Sequence, residues 1–292
     1  MKYATGRAFR QALEDRIRGV HSEQNLPIVR LRKQVAFERF IARLIKNQAG
    51  SWVLKGGLVL QLRWGLQART TKDIDLLHTA FSSSIYEALT KAAIFDLGDW
   101  FGFEIEQPEN ESEDDFGGNR YQVRCYLDGR LFESFHVDVG MGDLVADEYE
   151  WLSFESILAF AGIEPTIVPC YPITQQIAEK FHALTRQYAS GRSTRTKDFV
   201  DILLLAKLGS IDGKLLQEAI RLTFETRGTH LVPSEVSDFP STLSRGYGLL
   251  AKSLKLGYGT FSDAEEALSK FLNPVLLEDV SGTWDAESWQ WR

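Results

Sequence analysis

The sequence predicts an α+β fold, with a mixed sheet in the middle of the chain and helices at both ends. Three observations predict it. Apolar residues recur at helical spacing in the first 48 residues, alternate with polar ones over 101–140, and return to helical spacing after Thr174.

Taken in order, Thr5 to Val20 and Pro27 to Gln48 read as helices. In the second, Ile28, Leu31, Val35, Ile41, Leu44 and Ile45 form one stripe. Pro27 suits a first helical turn, and Asn25 upstream is a candidate cap. Ser51 to Lys55 is a short β-like run ending in Gly56-Gly57. Leu58 to Gln67 is helical in character, Ile74 to Leu77 is a short apolar stretch studded with carboxylates, and Ser82 to Ala93 is a further helix. Phe103 and Ile105 alternate with Glu104 and Glu106; Tyr121, Val123, Cys125 and Leu127 alternate with Gln122, Arg124 and Tyr126. Asp128-Gly129 is a tight-hairpin signal, with Leu131 to Val139 as its return strand. The sheet is therefore expected over residues 51–140. Beyond it, Ile177, Phe181, Leu184 and Tyr188 share one helical face, and Phe199, Ile202, Leu203 and Leu205 another, with a polar loop at Ser193 to Lys197. Glu218 to Phe224 and Glu265 to Leu272 are helical, and Trp284, Trp289 and Trp291 suggest a packed tail. The expected organisation is an N-terminal helical arm (1–50), a central core (51–165) and a helical C-terminal domain (166–292).

Composition narrows the class. With 292 residues, 44% hydrophobic and 25% charged, the chain is an ordinary globular protein and too apolar to be disordered. Two cysteines without a CxxC exclude a disulfide framework and a zinc finger. Only five histidines and no HExxH argue against zinc-dependent hydrolysis. No apolar run approaches the ~18 residues of a membrane span. Met1 to Val20 alternates charge with apolar residues, unlike a secretory signal, so a cytoplasmic setting without a membrane is expected.

The net charge of -7 is uneven. Residues 1–50 hold eleven Lys and Arg against four acids, a formal +7, so the remaining residues carry -14. Such a segment can steer a polyanion to one face, or can be a solvated helix surface. Seven acids between Glu104 and Asp115 read as an exposed acidic loop.

The densest chemical signal is Lys55-Gly56-Gly57 followed by Arg69-Thr70-Thr71-Lys72-Asp73-Ile74-Asp75. In an extended segment residues i and i+2 share a side, so Asp73 and Asp75 present two carboxylates with Ile74 packed behind. Paired like charges call for a cation, and oxygen ligands suit a hard ion such as Mg²⁺. A glycine pair at a strand end lets backbone N–H groups approach a phosphate, and Arg69 and Lys72 add positive charge. Alone, DxD also describes a solvated strand end. The third piece is Asp138, set between Val137 and Val139 in an apolar strand, where a carboxylate is costly unless paired or metal-bound. Its other reading is a cap on the Gly140 turn. His136 shares that strand face, and either approaches the carboxylates or is structural.

These pieces in this order resemble the polymerase-β-like nucleotidyltransferase fold, and more closely the AbiEii/AbiGii toxin family. The resemblance rests on Leu54-Lys55-Gly56-Gly57, Arg69 to Leu76 and Val137-Asp138-Val139, and downstream on Ile177 to Leu184 and Arg195 to Asp201, covering residues 50–205. It implies Asp73, Asp75 and Asp138 as Mg²⁺ ligands, with Asp138 also a base for the acceptor hydroxyl. It further implies Gly56 and Gly57 shaping the triphosphate pocket, Arg69 and Thr71 supporting it, Lys180 on the phosphates and Asp198 in the active site. The chain has Gly56-Gly57 where many nucleotidyltransferases have Gly-Ser. Asp198 and Asp201 lie i, i+3, so either can face the pocket. Glu179-Lys180 also fits a surface charge pair, and His182 fits a packing residue.

The implied activity is Mg²⁺-dependent transfer of NMP from an NTP to an acceptor with release of pyrophosphate. The implied biology is that of the toxin of a toxin–antitoxin pair, with a cognate antitoxin partner and a place in phage defence. The resemblance also implies RNA, tRNA above all, as the favoured acceptor, which the basic N-terminal segment suits on electrostatic grounds; a protein hydroxyl is the other. The alternatives are a small-molecule nucleotidyltransferase, which needs no basic segment, and a non-catalytic binding module on the same fold, which all three carboxylates argue against.

Overall fold

A computed structural model describes residues 1–80, 84–107, 119–186, 195–236, 239 and 241–292. The chain divides into two compact units. The first comprises Met1–Gly65, Thr70–Gly142 and Glu150–Cys170, the second Leu66–Arg69, Asp143–Tyr149 and Tyr171–Arg292.

In the first unit, helix α1 (Gly6–Gln24) opens on Thr5, whose side chain accepts from the Ala8 N–H. It closes at Asn25, which adopts the left-handed conformation (φ 54°). Asn25 thus ends this helix and does not cap the next, contrary to the sequence expectation. Helix α2 (Ile28–Asn47) follows directly on Pro27. Then come strand β1 (Trp52–Lys55), helix α3 (Gly56–Trp64), strand β2 (Asp73–His78), helix α4 (Ile85–Ala93), and strands β3 (Phe101–Glu106), β4 (Asn119–Leu127), β5 (Arg130–Met141), β6 (Glu150–Ser153) and β7 (Ile167–Cys170). The seven strands form one sheet in the order β3-β4-β5-β2-β1-β7-β6, with β2–β5 and β1–β7 parallel and the other pairs antiparallel. The sheet runs on to residue 170, not 140 as expected, because β6 and β7 have four residues each and show little periodicity.

Strands β4 and β5 turn at Asp128-Gly129, both with positive φ (52° and 69°), as a two-residue hairpin requires. A register shift follows between Cys125 and Tyr126. The buried face of β2 and β5 carries Ile74, Leu76, Phe135, Val137 and Val139. Phe37 and Phe40 of α2 meet Phe135 edge-on at 5.0 and 5.8 Å. Burying each such ring contributes about 1.5–3 kcal/mol. With this face fixed against α2, the period of two places Asp73, Asp75, His136 and Asp138 on the other face.

Much of the N-terminal basic charge is internal to this unit. Arg39 and Arg43 are buried on Asp99 at 2.7 and 2.6 Å. Burial would raise the Asp99 pKa, but Arg43 and Arg39 outweigh it and hold it below the usual carboxylate value. Arg10 donates to backbone carbonyls of the β4–β5 turn, and Arg32 pairs with Glu14. Lys2, Arg7, Arg16, Arg18 and Lys46 remain exposed. Of the acidic run, Glu104 and Glu106 lie on β3, where they meet Tyr126 and Arg124; its other members, with Tyr188 and Ser193, lie outside the described residues.

The second unit is helical: α5 (Ile173–Thr185), α6 (Thr196–Leu208), α7 (Gly213–Arg227), α8 (Ser241–Leu254) and α9 (Phe261–Leu276), closed by a small hairpin of β8 (Trp284–Asp285) and β9 (Gln290–Trp291). Helix α8 has no counterpart in the sequence expectations. Gly246 and Gly248 mask its stripe of Leu243, Tyr247, Ala251 and Leu254, and Gly246 is where Thr196 approaches closely. The packed tail is present. The indoles of Trp284, Trp289 and Trp291 donate to the carbonyls of Ala206, Ala267 and Phe271 at 2.8, 2.9 and 2.9 Å. Among the described residues no helix is long and apolar enough to cross a membrane.

Candidate active site

The parallel register of β2 and β5 sets Asp73 beside His136 and Asp75 beside Asp138. Neighbours in register point the same way, so the three carboxylates form one group on the sheet face opposite the core. Asp73 and Asp138 are each about one-third exposed, at 33% and 35%. Three negative groups on adjoining strands repel one another.

The group has its own counter-charge, which the sequence reading missed. Arg120, opposite Asp138 on β4, places Nη2 3.2 Å from Asp73 Oδ2 and Nη1 3.1 Å from Asp138 Oδ2. His136 Nδ1 lies 3.4 Å from Asp73 Oδ1, so this histidine does approach the carboxylates. The signal for Arg120 was the polar phase of β4. Counting back from Asp128-Gly129 without the bulge pairs Arg120 with Val137; the bulge moves it by one, to Asp138.

Gly56 stands at the junction of β1 and α3. Its φ of +68° favours glycine, and a Cβ there would overlap the Asp75 carboxylate. Lys55, one residue earlier, is the register partner of Asp75. Gly57 lies buried in the first turn of α3. The Thr71 hydroxyl donates to the Asp73 carbonyl at 3.2 Å, fixing the entry to β2.

Three carboxylates on one face, at register neighbours, are hard oxygen donors of the kind Mg²⁺ takes. Among the described residues, however, no three metal-ligating side chains close around a single point. A guanidinium stands between two of them. The donors fit the ion; the arrangement is one in which Arg120 holds Asp73 and Asp138.

The other expected residues form a cluster within the second unit. Lys180 Nζ on α5 lies 2.7 Å from Asp201 Oδ2 and 3.3 Å from Asp198 Oδ1, both on α6. Arg69 makes a forked contact with Asp201, Nε and Nη2 donating at 2.9 and 2.8 Å. Asp201 is wholly buried (0%), whereas Asp198 keeps some exposure. Burial disfavours the Asp201 charge, but Lys180 and Arg69 more than offset it, and its pKa stays below the ordinary value. Burial would push the Lys180 ammonium down; Asp201 and Asp198 reverse this, and its pKa lies above the usual lysine value. Lys180 is therefore a fixed cation near neutral pH and is unsuited to act as a base.

Two surface readings give way here. Lys180 is buried on carboxylates and does not reach to solvent. Glu179 pairs with Arg227 at 2.8 Å, both mostly buried. His182 fits the packing reading: it is buried, its Nε2 is 2.9 Å from Thr229 Oγ1, and burial, aided by Arg227, His230 and Arg186, presses its pKa to about 3.

The family described as "Nucleotidyl transferase AbiEii toxin, Type IV TA system" matches residues 39–286. Among solved structures, the chain is similar to MenT4, a nucleotidyltransferase toxin from Mycobacterium tuberculosis, with a TM-score of 0.55 and 16% identity over 88% of this chain and 85% of that one. It also matches JHP933 from Helicobacter pylori (TM-score 0.40, 17% identity, 77% and 93% covered). An antigenic nucleotidyltransferase-like protein from Paracoccidioides brasiliensis matches with a TM-score of 0.44 and 17% identity, over 77% and 93% of the two chains. No curated protein matches.

Proposed function

The chain belongs to the AbiEii nucleotidyl transferase toxin family, and from that premise we propose that it moves a nucleoside monophosphate from an NTP to an acceptor hydroxyl under a divalent ion. The observation that carries this reading is the carboxylate group of Asp73, Asp75 and Asp138 on adjoining strands, with Gly56 shaped around Asp75.

The reaction forms a bond between the acceptor oxygen and the α-phosphorus and breaks the bond from that phosphorus to the bridging oxygen, which leaves with pyrophosphate. Asp73, Asp75 and Asp138 would hold the ion, which when bound supplies Lewis-acid polarisation of phosphoryl oxygens. Asp138 takes the proton of the acceptor hydroxyl. Gly56, which makes room for the Asp75 carboxylate, and Gly57 shape the triphosphate pocket at the start of α3, and Thr71 keeps Asp73 in place. Lys180, held charged on Asp201 and Asp198, acts on the phosphates through its field without leaving those partners, and Asp198, the more exposed of the two, takes part in the active site. Arg69 supports the triphosphate through its hold on Asp201.

Within this proposal the acceptor is RNA, tRNA above all. Its electrostatic support is narrower than the charge count implied, because only Lys2, Arg7, Arg16, Arg18 and Lys46 of the eleven N-terminal bases are exposed. An antitoxin partner, a cytoplasmic setting and a place in phage defence belong to the same proposal. The test is incubation with each of four α-³²P-labelled NTPs, Mg²⁺ and total bacterial RNA, followed by a denaturing gel. Label at tRNA size supports the reading; label on protein alone moves the acceptor to protein; none on either removes the macromolecular acceptor.

A further inference from the structure

We propose that Arg120 is an exchangeable counter-ion of the carboxylate group: it offsets part of the charge of Asp73 and Asp138 in the ligand-free protein, yields both to the divalent ion, and then serves as a donor to the incoming triphosphate. The inference rests on the metal reading of that group.

The arginine–aspartate contacts of this chain are of two kinds. Arg43 and Asp99 meet at 2.6 Å with both side chains buried, and Arg69 grips the buried Asp201 with a two-point fork at 2.8–2.9 Å. Those distances are those of strong charge-assisted hydrogen bonds. Arg120 is different in each respect. It spends its fork on two separate carboxylates, one contact each, at 3.1 and 3.2 Å. Its side chain is 49% exposed. Exposed pairs of this geometry contribute little and exchange readily with water or other ions.

Placement favours exchange as well. Arg120 is the second residue of β4, so its side chain can swing while the backbone register holds. A divalent cation competes for the same oxygens with twice the charge. Once released, the guanidinium remains beside a site that a triphosphate enters, and its planar fork matches phosphate oxygens. One residue would thus oppose metal binding when nucleotide is absent and favour nucleotide binding when metal is present.

That pair of opposite signs is what a merely structural arginine would not produce. The test is Mn²⁺ binding to the full chain without nucleotide, by calorimetry, for wild type, Arg120→Gln and Arg120→Ala, followed by Mg²⁺–NTP binding to each. The expected result is Mn²⁺ binding tighter by about three- to tenfold in both variants, with Mg²⁺–NTP binding weaker by a similar factor. Unaltered or weaker Mn²⁺ binding in both variants, with wild type binding the ion, would overturn the exchange while leaving the metal reading in place. Absence of Mn²⁺ binding in all three would overturn both. Tighter Mn²⁺ binding with nucleotide affinity unaltered would overturn the donor role. Arg120→Gln preserves length and polarity, so a folding defect confined to Arg120→Ala does not obscure the result.

Discussion

The carboxylate face in the first unit and the Lys180 cluster in the second are both built from aspartates and cations, yet they are put together in opposite ways. Asp73 and Asp138 are partly exposed and share one loosely held arginine. Asp201 is fully buried and holds two cations, Lys180 and Arg69, by short contacts. The first arrangement can change partners; the second cannot without leaving buried charge uncompensated. Ligand exchange is therefore expected at the sheet face, and a fixed set of ion pairs at the helices.

The contrast can be broken most sharply at Asp201. Asp201→Ala removes the buried carboxylate that Lys180 and Arg69 share, and the expected loss of stability is about 3–5 kcal/mol, read by chemical denaturation. Asp198→Ala should cost far less stability, since Asp198 keeps solvent contact. At the sheet face the expectation reverses. Asp73→Ala should lower transfer by about a hundredfold or more while leaving the melting temperature near the wild-type value. If Asp73→Ala melts early, the face is structural and the contrast fails.

Gly56→Ala sharpens it further, since one methyl would both force a left-handed alanine and meet Asp75. A cost of about 1–3 kcal/mol is expected, together with loss of transfer. The smallest effect concerns pH. His182 has a folded pKa near 3 against an ordinary 6.5, so the unfolded chain binds the extra proton between those values. Stability should fall as pH drops through this window, and His182→Gln should flatten the slope between pH 7 and pH 4.5. An unaltered slope in His182→Gln would assign the acid sensitivity to other groups.

Most of the sheet face could be read in the sequence because its logic is local. The i, i+2 spacing of Asp73 and Asp75 needs only an extended segment, and Asp138 stands out among Phe135, Val137 and Val139. Lys180 and Asp198 were carried by the family pattern, and the periodic helices by their apolar stripes. What escaped depends on long-range placement. Arg120 reaches Asp138 only through a bulge that no count from the turn reveals. Arg69 meets Asp201 across 132 positions of sequence. Arg39 and Arg43 look like surface charge until Asp99 is seen beneath them. Helix α8 was hidden by two glycines, and β6 and β7 by their brevity.

The central claim is that Asp75 and its neighbours carry nucleotidyl transfer. Its most direct test is pyrophosphate release from NTP in the presence of bacterial RNA, with Mg²⁺ or with chelator, for wild type and Asp75→Ala, alongside melting curves. The account predicts release by wild type with Mg²⁺ alone, and none by an Asp75→Ala protein that melts normally. Equal release by wild type and Asp75→Ala, or release undiminished by chelator, would contradict it.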